Sequence, residues 1–440
     1  MSAPTAATPT RTWQNWAGNQ RAQVRRIATP GSAAQTAEIV REAAEQGLRV
    51  KPVGSGHSFT AAAATDGVLI RLDQLTRLRS ADRASGLVTV EAGMPLWRLN
   101  ELLAEQGLAL TNMGDIQAQT VSGAIGTGTH GTGRASASIA AQVAALELVL
   151  ADGSVVGCSA AEHPQLFEAA RIGLGCIGVI TAVTFRTEPG FLLTAQEQPM
   201  PFDQVLDTFD ELCAQNEHFE FFWFPHTGST LTKRNNRSAG PARPLSRRRA
   251  WLEDEFLSNT VFSGTCRLGR AAPRAVPAIN RIAAKALSAR TYTDRSDKVF
   301  TSPRTFKFLE MEYALPRESA TAALREVRHA LDASGLKISV PIEVRVAPAD
   351  ELWLSTAHGR DTAYLAFHMF QGTSPADYFD IVETIMVAYD GRPHWGKLHT
   401  RDAEYLADTY PRFQDFLTVR GKTDPDRVFG NEYSRRVLGS

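Results

Sequence analysis

The chain has 440 residues, with 47 lysines and arginines against 47 aspartates and glutamates, so its formal net charge is zero. That balance offers no long-range field to draw in nucleic acid or an anionic membrane, and the ligand expected for the chain as a whole is small and weakly charged. The length suits two domains with a cleft between them, and no run of about twenty apolar residues is present to span a membrane.

Residues 1–10 are rich in Ala, Thr and Pro, and the segment 1–20 is expected to be disordered. No apolar run near the start has signal-peptide character, and Arg25-Arg26 is not followed by the hydrophobic stretch of a twin-arginine signal. Ala34 to Gly47 reads as an amphipathic helix closed by glycine, followed by a strand over Leu48 to Val53. Gly54-Ser-Gly-His-Ser58 then forms a glycine turn whose free N–H groups suit a phosphate. A histidine there has few structural reasons, so His57 is a functional candidate; the alternative is a loop histidine capping a strand end.

Strands are expected at Gly67 to Leu72 and Leu87 to Ala92, a helix over Pro95 to Gly107, and a hairpin joining Ala145–Leu150 to Val155-Val156 around Ala151-Asp152-Gly153. Between them Val121 to Gly133 is dense in Gly, Ser and Thr, suited to holding diphosphate and ribityl oxygens. Gly173 to Phe185 is a third glycine turn entering a strand. Three such segments in one α+β unit fit a long ligand lying extended across it, and no GxGxxG opens a helix as a Rossmann domain would require.

After Pro189 come four alternating or aromatic strands, at His218–Phe224, Leu309–Leu315, Ile338–Val346 and Tyr364–Phe370, with helices over Ser319–Gly335 and Pro375–Tyr389. They predict a large antiparallel sheet covered by helices on one face. The basic cluster Arg243–Arg249, in a Gly/Pro/Ser-rich stretch, reads as a solvated loop or, less simply, a surface for a membrane or a partner. Cys158, Cys176, Cys213 and Cys266 form no CxxC, which suggests neither a zinc site nor a disulfide framework and points to a reducing compartment.

Alternation puts Glu343 and Arg345 on one strand face, where each needs the other or a ligand. His368 is a satisfied core histidine or a site residue. In Arg392-Pro-His-Trp-Gly-Lys-Leu-His399, Lys397 is a base of depressed pKa, a cation steadying an anionic ligand, or a snorkelling surface lysine.

Gly54-Ser-Gly-His-Ser58, Gly128-Thr-His-Gly-Thr-Gly133, Glu343-Val-Arg345 and His394-Trp-Gly-Lys397 together resemble the aldonolactone oxidoreductases, a branch of the vanillyl-alcohol oxidase superfamily that includes L-gulono-1,4-lactone dehydrogenases and D-arabinono-1,4-lactone oxidases. The likeness runs from Trp13-Gln-Asn-Trp-Ala-Gly18 to Asp424-Pro-Asp-Arg-Val-Phe-Gly-Asn431. It implies an N-terminal α+β FAD-binding domain (21–189), a cap domain with the antiparallel sheet (190–418) and a C-terminal segment (419–440) returning to the first domain.

The same resemblance implies FAD linked covalently through His57. Val53, Gly54, Ser55, Gly56, Ser58, Gly114, Asp115, Ser122, Gly123, Gly126, Thr127, Thr129, His130, Gly178, Val179, Ile180, His394 and Lys397 would sit around the cofactor. Glu343, Arg345, His368 and Lys397 would serve the oxidation of a sugar-lactone C2 hydroxyl, with Glu343, His368, Lys397 or a water taking the proton, and no metal is implied. Gly114 matches a position beside the flavin where glycine leaves a path for oxygen, so O2 or an acceptor such as cytochrome c or a quinone would reoxidise the flavin. An alditol oxidase and a non-catalytic flavin-binding protein are the alternative readings. The expected location is the cytoplasm, with peripheral membrane association admitted.

Overall fold

A computed structural model describes residues 11–135, 138–302 and 304–440. The first unit carries two sheets. A parallel three-stranded sheet orders Arg26–Ala28, Val68–Arg71 and Val50–Val53. An antiparallel five-stranded sheet runs Val155–Ser159, Val143–Val149, Val179–Arg186, Leu87–Glu91, Leu78–Asp82. The helix expected after Ala34 spans Ala33–Glu45 and is capped by the Ser32 hydroxyl, which accepts from Gln35 N. The Pro95 helix spans Leu96–Glu105, and the 145–156 hairpin is Val143–Val149 against Val155–Ser159.

The second unit is an eight-stranded antiparallel sheet. Its order is Arg290–Arg295, Leu192–Pro201, Ser229–Ser238, His218–Trp223, Ile342–Ala347, Thr362–Phe370, Phe308–Pro316, Arg392–Pro393. Period-two alternation sorts its side chains. Phe219, Phe221, Trp223, Met311, Tyr313, Val344, Leu365 and Phe367 pack under the helices Ala320–Ser334 and Ala376–Ala388. The residues between them, Glu220, Phe222, Glu310, Glu312, Glu343, Arg345 and His368, line a cavity on the opposite side of the sheet. One face of the sheet is core and the other is chemistry.

Several expectations are corrected. Residues 11–20 are ordered: Arg11–Gln14 pairs with Arg21–Val24, and Asn15 Oδ1 accepts from Gly18 N (2.9 Å) and Gln20 N (3.0 Å). Residues 1–10 lie outside the described residues. The strand expected from Ile338 begins at Ile342, since Pro341 has no N–H for a ladder and its carbonyl is taken by His368. Arg247–Arg249 are helical rather than loop, with Ser246 as N-cap. The boundary placed after 418 falls inside the helix Phe413–Thr423, and Trp395, Leu406, Tyr410, Phe413, Phe416 and Tyr433 belong to the core of the first unit. The chain therefore returns to that unit by about residue 395. All four cysteines are buried and free, and no described helix is long and apolar enough to cross a membrane.

Candidate active site

The Gly54–Ser58 turn follows the strand Val50–Val53 and is shaped by two glycines. Gly56 has φ +69°, which other residues rarely adopt, and a Cβ on Gly54 would stand 2.0 Å from Thr120 Oγ1. The N-terminal segment holds the turn in place: Trp16 N donates to Gly56 O (2.8 Å), Asn15 Nδ2 to Ser58 O (2.9 Å), and the Trp16 indole stacks on His57 at 5.1 Å.

A narrow cleft of about 110 Å³ runs from this turn between Ser122, Gly123, Gly126 and Thr127 on one side and Gly173, Gly175, Gly178 and Ile180 on the other. A Cβ on Gly126 would meet nothing within 4 Å, so the backbone there faces open space, as a cradle for a diphosphate-linked ligand requires. Val53 also lines this cleft, whereas Val179 does not. Strand alternation turns the Val179 side chain into the core with Val50 and Val149.

A larger cavity of about 510 Å³ adjoins the cleft and shares His57, Ser58, Gln119 and Thr127 with it. His57 therefore stands where a ligand lying in the cleft enters the cavity. Burial, with Lys397 nearby, lowers its pKa to about 4, which keeps the imidazole neutral. Gly114, Asp115, Thr129, His130 and His394 line this cavity with the four expected catalytic residues, Glu343, Arg345, His368 and Lys397.

Two charged clusters face it. In the first, Arg345 Nη2 lies 2.6 Å from both Asp115 Oδ1 and Glu343 Oε1, and Nε donates to Glu220 Oε2 at 3.1 Å. Arg304 (3.4 Å from Asp115) and Lys233 (3.4 Å from Glu220) stand behind these carboxylates. Despite its short contact, Glu343 Oε1 receives no aligned hydrogen bond. Burial raises the Glu343 pKa, Arg345 opposes, and Asp115 and Glu220 add to the rise, leaving it at about 7. Asp115 moves the other way: burial raises its pKa, but Arg345 and Arg304 bring it below the usual value. Its carboxylate is thus committed to two arginines of the second unit.

In the second cluster Lys397 Nζ is 2.5 Å from Glu310 Oε2, and His368 Nε2 is 3.6 Å from Glu310 Oε1. Burial raises the Glu310 pKa but Lys397 and His368 outweigh it, and the net value is about 2. Burial likewise works against the Lys397 cation, yet Glu310 and Glu312 hold its pKa above the ordinary value, which removes the depressed-pKa reading of Lys397. His368 Nδ1 donates to Pro341 O at 3.1 Å. His130 Nδ1 donates to Gly131 O (2.9 Å), its Nε2 is 2.7 Å from Glu312 Oε1, and its ring stacks on Tyr364. His394, lowered to about 4 chiefly by burial, accepts from Gly396 N at 3.0 Å.

A Cβ on Gly114 would stand 2.9 Å from His130 O and 3.1 Å from Thr129 Cγ2. It would press into the wall between two loops, so packing requires glycine here whatever oxygen does.

Sequence reasoning did not single out Trp16, Glu220, Lys233, Arg304, Glu310 or Glu312 as site residues. For the three glutamates the signal was present, since each is a carboxylate at an alternating position of an otherwise apolar strand, as Glu343 is.

Residues 24–159 match the family described as FAD binding domain, and residues 183–437 the family described as D-arabinono-1,4-lactone oxidase. The crystal structure of cholesterol oxidase from B. sterolicum has the same fold, with a TM-score of 0.81 at 17% identity, covering 98% of this chain and 97% of that one. The two family matches define a flavoprotein of the vanillyl-alcohol oxidase type. L-gulono-1,4-lactone dehydrogenase of Mycobacterium tuberculosis is 43% identical over 427 residues, covering 97% of this chain and 99% of that protein. L-gulonolactone oxidase of Mus musculus is 34% identical over 434 residues, covering 97% and 98%. The chain belongs to the D-arabinono-1,4-lactone oxidase family. The family and the two-part α+β fold expected from the sequence are both borne out.

Proposed function

We propose that this protein oxidises a sugar-derived 1,4-lactone, of the gulono-, galactono- or arabinono- type, at its C2 hydroxyl. The observation that carries the reading is Glu343 Oε1, buried, without an aligned donor, and facing the cavity that His57 joins to the glycine cleft. The names of the relatives support the lactone.

FAD, which Val53–Ser58, Ser122, Gly123, Gly126, Thr127, Gly178 and Ile180 would hold, would supply a two-electron acceptor for the hydride of C2. Glu343 takes the hydroxyl proton, since among the carboxylates and the lysine around the cavity it has a pKa near neutrality, where a general base works best. Arg345 holds the substrate oxygen beside Glu343 and stabilises the negative charge that develops on it. Lys397, fixed by Glu310, and His368 present a positive edge on the flavin side. His57, neutral and braced by Trp16, is placed in the reading as the covalent anchor. O2 or a carrier such as cytochrome c or a quinone removes the electrons, and the four free cysteines suit the cytoplasm.

The test is anaerobic mixing of the holoprotein with a lactone panel and with xylitol. Lactones should bleach the flavin and xylitol should not. Glu343→Gln should slow bleaching about 100-fold or more without loss of flavin, and a denaturing gel of the same sample should show flavin fluorescence on the polypeptide. A flavin left yellow by every lactone sinks the activity; fluorescence migrating free of the chain sinks the link alone.

A further inference from the structure

The zero net charge of the chain conceals one strongly asymmetric surface. Of the nine large apolar side chains exposed among the described residues, seven lie between Trp251 and Ile282. Five of them, Trp251, Leu252, Phe256, Leu257 and Val261, belong to Trp251–Val261, a wide i→i+5 helix continuous with Arg247–Ala250 before it and Phe262–Ala271 after it.

A repeat of five explains why they share a face. Trp251, Phe256 and Val261 form one row and Leu252 and Leu257 the next, with Trp251 stacked on Phe256 at 5.6 Å. Glu253, Asp254 and Asn259 fasten the helix to the protein. Arg290 Nη1 donates to Glu253 Oε2 (3.0 Å) and Asp254 Oδ1 (2.8 Å), and buried Asn259 accepts from Thr305 N (2.8 Å). The polar contacts are made inward and the apolar rows are left in water: Trp251 is 54% exposed and Ile282 69%. Such a contiguous apolar face marks an interaction surface rather than ordinary scatter.

Charge identifies the partner. Residues 243–288 carry nine arginines and lysines, with Arg247, Arg248 and Arg249 consecutive, against three carboxylates, a surplus of six in a chain of zero net charge. Glu253 and Asp254, two of the three carboxylates, are spent on Arg249 and Arg290. We propose that this face docks on an anionic lipid bilayer, with Trp251, Leu252 and Phe256 at headgroup depth and the arginines on the lipid phosphates. A second copy of the chain would bring two such positive surpluses face to face, so charge favours lipid over self-association. Leu257 and Val261 also line the larger cavity, so the docked face is that cavity's outer wall.

The experiment is sedimentation of the full-length holoprotein with vesicles of phosphatidylcholine alone or containing about 30% phosphatidylglycerol. The protein should sediment with the anionic vesicles, remain in solution with the neutral ones, and be released by high salt. R247E/R248E and W251S/F256S should each weaken binding roughly tenfold or more. Turnover in solution and flavin content should stay unchanged, since none of these four residues lines the cleft or the cavity. Absence of binding to the anionic vesicles overturns the proposal, as does binding that R247E/R248E leaves intact. A concentration-dependent dimer seen by light scattering and lost in W251S/F256S, without vesicle binding, also overturns it and assigns the face to a second copy.

Discussion

Glu310 and Glu343 occupy the same face of one sheet, with a single strand between theirs, yet they ionise at opposite ends of the carboxylate range. Both are buried, so desolvation does not separate them. Glu310 has Lys397 at 2.5 Å with His368 nearby, whereas Glu343 competes with Asp115 and Glu220 for one guanidinium. The consequences for stability have opposite sign. Glu310, with its folded pKa depressed to about 2, stabilises the native state above the unfolded value of 4.5, and that contribution is lost as pH falls through about 2. Glu343, raised to about 7, binds its proton more tightly when folded, so its contribution is full below 4.5 and is lost as pH rises to 7. Catalysis follows the second group. With Glu343 as base, kcat/KM should climb with pH and bend near 7, and Glu220→Gln, which removes one competing charge, should move the bend to lower pH. A profile flat between about pH 6 and 8, or a bend indifferent to Glu220→Gln, would remove Glu343 from that role.

Strands such as His218–Trp223 and Ile342–Ala347 were legible because one face must be apolar, and their alternation shows it. Leu192–Pro201 and Ser229–Ser238 were not, since Pro199 and Pro201 interrupt the first and polar side chains fill every position of the second but Leu231, and the wide helix at 251–261 follows a repeat that neither the helical nor the strand period matches. Spacing tells which residues share a face but not which strand lies beside which, so the meeting of Asp115, Glu220 and Arg345 could not be read from the chain. Lys51 shows the same limit. It stands in a strand that the sequence marks plainly, but the residue is 1% exposed and its ammonium donates to Leu174 O (3.2 Å), Gly175 O (3.1 Å) and Phe429 O (3.1 Å). It thereby ties the far wall of the glycine cleft and the C-terminal segment to the strand that precedes the His57 turn. Lys51→Met would leave three buried carbonyls without this donor, at a cost of about 2–4 kcal/mol. The melting temperature should fall and flavin should escape more readily, both measurable by following flavin fluorescence on heating; a variant that melts and retains flavin like the parent would show the lysine to be dispensable.

The segment Gly128–Gly133 resembled a phosphate cradle in sequence, and its neighbours Ser122, Gly123, Gly126 and Thr127 do line the narrow cleft. Its later residues instead join the two units. Gly133 N donates to Val346 O (2.8 Å), Arg134 N to Glu217 O (2.8 Å), and His130 meets Glu312 at 2.7 Å with both side chains buried. A glycine-rich loop has spare N–H groups for a ligand and for a neighbouring strand edge alike, and the sequence does not distinguish the two. An apolar core crosses the same seam: Leu193 and Ala195 of the eight-stranded sheet share one core with Leu99, Ile125 and Phe167 of the first unit. With polar bonds and apolar core both crossing the boundary, neither unit has a complete surface of its own, and calorimetry should record one unfolding transition. Glu312→Ala breaks a buried pair and strands its histidine, so it should lower that single transition by about 3–5 kcal/mol as a whole. Two resolved peaks, with only the peak of the second unit displaced by Glu312→Ala, would mean that the seam does not couple the units.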